Sequence, residues 1–246
     1  MRVALLGATR GMGRALARRM AERGDQLFLL GRDSDELERS AADLAARREP
    51  PAEVRWARCD LEEPATFTPA LDAADRALGG LDALVVTAGL FDSQENLEAD
   101  RDWMRRVLDV DFARTVELCE VARPYLLRDG GGTLCVFSSV AGDRGRKPVA
   151  LYGAAKAGLS RYLEALDHRW HAAGLRVVCV KPGFVRTGMT AGLPAPPFAG
   201  DPDPVARRVL RALDRGTPVV YAPAPWRLVM AVIKRLPRFV MRRVGF

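Results

Sequence analysis

Seven short, mostly apolar runs punctuate the chain, at 3–6, 26–30, 54–57, 83–87, 133–137, 177–180 and 219–221. Between them lie amphipathic stretches at about 12–23, 34–48, 64–78, 98–127, 149–173 and 203–215. A strand with one wet face alternates apolar and polar residues, whereas a strand apolar on both faces must be covered on both. Such strands separated by helical segments predict a parallel sheet with helices on each side. Right-handed crossovers then wind it in both directions from its middle. The expected fold class is α/β: a doubly wound parallel sheet of about seven strands, with a C-terminal amphipathic tail helix.

Apolar residues make up 48% of the 246, enough for a sizeable core. No apolar run reaches the roughly 18 residues of a spanning helix. The chain opens directly on a strand-like segment, without a signal-peptide pattern. Cys59, Cys119, Cys135 and Cys179 form no C-x-x-C pair, and three sit in apolar runs. They read as buried reduced thiols, which points to the cytoplasm. The expected organisation is one catalytic domain over 1–222, with a Pro/Gly-rich lid at about 188–204, followed by a tail over 223–246. Of the net charge of +7, the tail carries six basic residues and no acid, leaving about +1 for the body. That distribution argues against nucleic acid as a partner.

The first run is followed by Gly7-Ala8-Thr9-Arg10-Gly11-Met12-Gly13, with a helix expected to open at Arg14. Glycines there let the backbone turn tightly and approach a pyrophosphate, whose charge lies at the helix N-terminus. The strand–glycine loop–helix context makes this a Rossmann-type cofactor site, with Thr9, Arg10 and Met12 in the loop. The ribose end of such a site lies after the second strand, where Arg32 stands nineteen residues beyond Gly13. Arg10 and Arg32 together suit a 2′-phosphate, which favours NADP(H) over NAD(H). Asp33 is an acid close enough to compete with that reading.

Tyr152 and Lys156 are spaced to share one helix face. A phenol titrates near pH ~10, too high for acid/base work at neutrality, and a neighbouring ammonium favours its ionised form. Ser139, thirteen residues before Tyr152, follows the fifth run, at the sheet edge where ligands bind. Its hydroxyl is placed to hydrogen-bond a substrate oxygen while Tyr152 transfers the proton. His168 and His171 are too few for a metal site, and no histidine partners Ser139 as in a hydrolase.

With these pieces the chain resembles the short-chain dehydrogenase/reductases over essentially its whole length. The matching segments are GATRGMG at 7–13, CDL at 59–61, TAG at 87–89, FSSVAG at 137–142, YGAAK at 152–156 and KPGFVRT at 181–187. The resemblance implies Tyr152 as acid/base and Lys156 as the group that lowers its pKa and holds the nicotinamide ribose. Ser139 would orient the carbonyl, Asp60 beside Leu61 would contact the adenine, and Ala88 and Gly89 would pack beside the cofactor. The segment from Pro182 and Gly183 through Val185 to Thr187 would hold the carboxamide. It also implies a homo-dimer or homo-tetramer formed through the helices at about 98–127 and 149–173.

Two positions depart from the family. Leu6 stands where a threonine usually precedes the first glycine. Asp111 stands where an asparagine usually holds a relay water. Asp111 either accepts from such a water, adding charge that opposes Lys156, or pairs with a cation and is structural.

Wound as a helix, 226–244 gathers its basic residues on one arc, with Pro237 expected to break or kink it. That pattern suits a helix lying on an anionic membrane surface, or one docked on its own domain or a second subunit. SSVAGDRGRK at 138–147, KPGFVRTGM at 181–189 and the ending at 221–243 are similar to the decaprenylphosphoryl-ketoribose reductase branch. That similarity implies a lipid-linked keto-sugar reduced at the inner face of the membrane. The alternatives are a soluble ketone or 3-ketoacyl substrate, or a non-catalytic NADP(H)-binding sensor or scaffold.

Overall fold

The computed structural model describes residues 1–50 and 52–243, so the tail positions 244–246 lie outside the described residues. Seven strands form one parallel sheet: β1 (Arg2–Leu6), β2 (Gln26–Gly31), β3 (Arg55–Arg58), β4 (Ala83–Val86), β5 (Thr133–Phe137), β6 (Arg176–Pro182) and β7 (Val219–Ala222). Their order is β3-β2-β1-β4-β5-β6-β7, and Leu6 pairs with Leu30 on one side and Val86 on the other. The winding direction therefore reverses between β1 and β4. A crevice opens there beyond the carboxyl ends of the strands.

Successive side chains of a strand point to opposite faces, and β1 shows the consequence. Val3 and Leu5 join one core layer with α1 (Gly11–Glu22), α2 (Ser34–Ala46) and α8 (Pro202–Arg215). Ala4 and Leu6 join the other, with α3 (Phe67–Leu78), α6 (Thr115–Leu127) and α7 (Ala150–Trp170). Leu5, Leu29 and Leu84 are completely buried. Each such leucine contributes about 1.5–3 kcal/mol. All four cysteines are buried free thiols.

The single helix expected over 98–127 is divided. Asp100 ends α4 (Gln94–Ala99), and its carboxylate accepts from the Asp102 and Trp103 N–H groups to cap α5 (Arg101–Leu108). A widened π turn, Asp109–Arg114, then separates α5 from α6. From the start of α6 the Thr115 hydroxyl donates back to the Val110 carbonyl at 2.7 Å. The wider turn carries Asp111 into the core, where it is fully buried.

The tail makes two short helices, α9 (Trp226–Ile233) and α10 (Arg238–Met241), with Pro237 at the break. Trp226, Met230 and Ile233 pack inward on Val140 and Tyr221. The described tail is thus docked on its own domain. Leu228, Val232 and Phe239 remain exposed. Among the described residues, no helix is long and apolar enough to cross a membrane.

Candidate active site

β1 runs out into Gly7, at φ +93°, and Gly11 lies at φ +53°, the left-handed region that glycine enters without steric cost. α1 begins at Gly11 rather than Arg14, so Gly11, Met12 and Gly13 form its first turn. Gly13 is there because of space: a Cβ would collide with the Gly7 carbonyl oxygen and Thr87 Oγ1. Thr87 donates to the Leu6 and Gly7 carbonyls at 3.1 and 3.0 Å, fastening the loop to the end of β4. Leu6 brings no hydroxyl of its own, and the neighbouring strand supplies one. No side chain caps α1 and no acid occupies its first turn. Its positive end is therefore open to an anion.

A cavity of about 240 Å³ continues from this loop, lined by Gly7, Thr9, Arg10, Arg32, Asp60, Leu61, Ala88 and Gly89. Arg10 and Arg32 are mostly exposed, and each lies 3.8 Å from a carboxylate, Glu36 and Glu62 respectively. Asp33 is engaged elsewhere, since its carboxylate accepts from the Glu36 N–H at 3.0 Å and caps α2. The Asp60 side chain likewise accepts from the Glu62 N–H at 3.0 Å.

A second cavity, of about 560 Å³, adjoins the first. Its walls include Met12, Thr87, Ala88, Gly89, Ser139, Tyr152, Lys156, Pro182, Gly183, Val185 and Thr187. Ser139 follows β5, its backbone extended, and its Oγ accepts from the Ala141 N–H at 3.1 Å. The preceding serine is committed to structure: Ser138 Oγ donates to the Lys156 carbonyl and contacts Ser160 Oγ. Tyr152 and Lys156 stand one turn apart on α7, with Nζ of Lys156 5.6 Å from the phenol ring centre. Phe91 meets the Tyr152 ring edge-on, with centroids 5.0 Å apart.

Asp111 faces Lys156 from the π turn. Its Oδ1 accepts from Nζ at 3.1 Å and from the Leu90 N–H at 3.0 Å. Of the two roles open to Asp111 from sequence, the structure displays the pairing with a cation. Burial works against the Lys156 ammonium, but Asp111 and Tyr152 outweigh it and hold its pKa above the ordinary lysine range. Burial pushes the Tyr152 phenol up, with Asp111 adding to it. Lys156 and a hydrogen bond from Ser139 pull it down without reversing the shift. In the protein alone, therefore, Lys156 moderates the phenol's pKa but does not bring it below the ordinary tyrosine value.

The two cavities bring together most residues singled out from sequence; Gly11 and Gly13 lie in the first turn of α1 without lining them, and Asp111 reaches them through Lys156. The cavities also contain residues the sequence reading missed: Phe91, Arg146 and Trp226. Phe91 sits two residues beyond the TAG segment, which was the available signal. Arg146 lies inside the SSVAGDRGRK stretch. Trp226 had no local signal, because only tertiary folding returns the tail to the cavity. Two left-handed glycines, an uncapped helix start and a continuous pair of cavities fit a dinucleotide.

Fold and crevice together define an α/β oxidoreductase. The chain belongs to the short chain dehydrogenase family, whose model matches residues 2–196. As a member it is an NAD(P)-binding enzyme that acts on CH–OH groups. An uncharacterized oxidoreductase of Mycobacterium tuberculosis is 33% identical over 242 residues, spanning 98% of this chain and 96% of its own. The cis-4-hydroxycyclohexanecarboxylate dehydrogenase of Sinomonas cyclohexanicum is 32% identical over 198 residues, 79% of this chain and 77% of its own. A short-chain type dehydrogenase/reductase from Mycobacterium ulcerans has the same fold, with a TM-score of 0.81 at 21% identity, covering 89% of this chain and 87% of that one.

Proposed function

We propose that the protein interconverts a ketone and a secondary alcohol with NADP(H), using Tyr152 as the acid/base. The nicotinamide, when bound, supplies or accepts the hydride. Tyr152 gives its phenolic proton to the carbonyl oxygen in reduction and takes it back in oxidation. Ser139 holds that oxygen in place, and Lys156 keeps positive charge beside the phenol. The observation that carries the reading is one cavity wall shared by Ser139, Tyr152, Lys156, Ala88, Gly89 and the 182–187 segment. Thr187 and Val185 are the residues proposed to hold the carboxamide.

Preference for NADP(H) is supported by Arg10 and Arg32, both lining the first cavity, and by Asp33 being occupied in capping α2. A 2′-phosphate would draw the two guanidiniums from their distant carboxylates into a forked clamp.

For the substrate, the second cavity is walled largely by apolar side chains, including Phe91, Phe184, Met189, Leu193 and Trp226. Exposed Met189, Leu193 and Phe198 on the lid accompany exposed Leu228, Val232 and Phe239 on the tail, among Arg227, Arg235 and Arg238. These features support a membrane-proximal, lipid-linked carbonyl such as a keto-sugar, acting from the cytoplasmic side. The homo-oligomer rests on the family resemblance. The dehydrogenase from Sinomonas supports a cyclic secondary alcohol as the second substrate class.

The test is NADPH oxidation against cyclohexanone, 4-oxocyclohexanecarboxylate, a medium-chain 2-ketone and a polyprenyl-linked keto-sugar. The expected result is turnover of at least one ketone, at least about tenfold faster with NADPH than with NADH. Tight NADPH binding without oxidation on any of them would favour the sensor or scaffold reading instead.

A further inference from the structure

We infer that Trp226, supplied by the C-terminal tail, is a specificity-determining residue that walls the apolar end of the cavity and fastens the lid across it. The inference rests on the oxidoreductase reading of the same site. Its basis is a set of contacts that converge on one indole.

Trp226 opens α9, directly after β7, and is almost fully buried. The ring packs on Val140, Tyr221, Met230 and Ile233, with Phe184 alongside. It lies so close to Gly183 that a Cβ there would collide with the indole Cδ1, Nε1 and Cε2. A glycine immediately after β6 is what lets a side chain from the tail reach the crevice. The same indole lines the cavity that holds Ser139 and Tyr152.

Its N–H points the other way, to the lid. Trp226 Nε1 donates to the Phe198 carbonyl at 3.2 Å. Phe198 carries φ +65°, a conformation a bulky L-residue adopts only when its surroundings impose it. Beyond it, Gly200 N donates to the Phe184 carbonyl and Arg186 N to the Gly200 carbonyl, both at 2.9 Å. The far end of the lid is thus pinned to the segment after β6 and to the tail.

The tail is itself tied to the loop that follows Ser139. Arg144 donates to the Leu236 carbonyl at 2.8 Å and Lys147 to the Arg242 carbonyl at 2.7 Å. Tyr221 donates to Asp143 Oδ2 at 2.6 Å, and Lys181 pairs with Asp143 Oδ1 at 2.5 Å. Lid, tail and catalytic loop therefore meet at Trp226. Truncating the indole enlarges the apolar end of the cavity, so bulkier ketones gain; removing only its N–H releases the lid.

The test compares wild type, Trp226→Ala, Trp226→Phe and Leu228→Ala, the last lying on the exposed side of α9. With NADPH, the ratio of kcat/KM for 2-decalone over cyclohexanone is expected to rise at least tenfold in Trp226→Ala and to stay near wild type in Leu228→Ala. Chymotryptic cleavage of the 198–199 bond, whose carbonyl the indole holds, is expected to quicken severalfold in Trp226→Phe, which keeps an aromatic ring. An unchanged ketone ratio in Trp226→Ala overturns the inference, and so does wild-type cleavage in Trp226→Phe. If wild type turns over neither ketone, the activity reading suffers, while the cleavage arm still decides on Trp226.

Discussion

The Lys156 ammonium is held 3.1 Å from Asp111 Oδ1 in an interior where Asp111 is wholly buried. Among the described residues, its other oxygen, Oδ2, has no hydrogen-bond partner. Burying a carboxylate in this way is costly unless a cation compensates it. Asp111 therefore stabilises Lys156 as ammonium, and its charge also acts on Tyr152 in the direction opposite to the lysine's.

The pH profile follows from those signs. Reduction requires the protonated phenol. Because Tyr152 is raised above its ordinary value, the rate of ketone reduction should hold through neutrality and fall only above pH ~10. Asp111→Asn removes a charge that raises the phenol, so this alkaline limb should move to lower pH. Lys156 is raised too, so its contribution to stability is fully present below its unfolded value of about 10.5 and is lost as pH rises through the folded one. As pH rises through that value, wild type should accordingly lose stability relative to Asp111→Asn, because the buried carboxylate loses the cation that compensates it. A limb that does not move would show that Asp111 has no electrostatic hold on the phenol.

Arg10 and Arg32 should act on one cofactor only. Replacing either with alanine should raise KM for NADPH about tenfold, the loss of roughly one charge-assisted contact, with KM for NADH nearly unchanged. Equal losses for both cofactors would show that the arginines shape the loop rather than bind a 2′-phosphate.

Gly13→Ala should abolish cofactor binding. The new methyl has no room between the Gly7 carbonyl and Thr87 Oγ1, so the first turn of α1 must move away from the end of β4. Isothermal titration with NADPH should show at least a hundredfold weaker binding, an effect of about 3 kcal/mol. Gly145→Ala makes a useful contrast, since a Cβ there meets nothing within 4 Å and the backbone is not in the left-handed region.

Much of this architecture was legible from the residues, and the exceptions have physical causes. Buried strands such as 133–137 are apolar after the opening Thr133, and that run matches β5 at both ends. The glycine loop, Ser139, Tyr152 and Lys156 were visible because strand and helix periodicity fixed where each would sit. Two boundaries moved because of tertiary packing: α1 begins three residues early, against Thr87, and the helix over 98–127 is cut by the Asp100 cap and the π turn around Asp111. The amphipathic tail suited a lipid surface, with docking on protein as the alternative. Its Trp226, Met230 and Ile233 found a partner in Val140, which is distant in sequence, and in Tyr221 on the adjoining β7.

The thiols should be inert in the native protein. All four are buried, and burial pushes the Cys59 thiol up to about 12. At pH 8 a disulfide-exchange reagent should label fewer than about one thiol per chain until denaturant is added. Rapid labelling of the folded protein would place at least one of them at the surface.

The role assigned to the Tyr152 phenol is to move the proton in a hydride-transfer reaction. Its most direct test is Tyr152→Phe, assayed for NADPH binding and for single-turnover reduction of whichever ketone wild type accepts. NADPH affinity should be unchanged and reduction slowed about 10²–10⁴-fold, the range typical of a lost general acid. A Tyr152→Phe protein that reduces the ketone at the wild-type rate would contradict it.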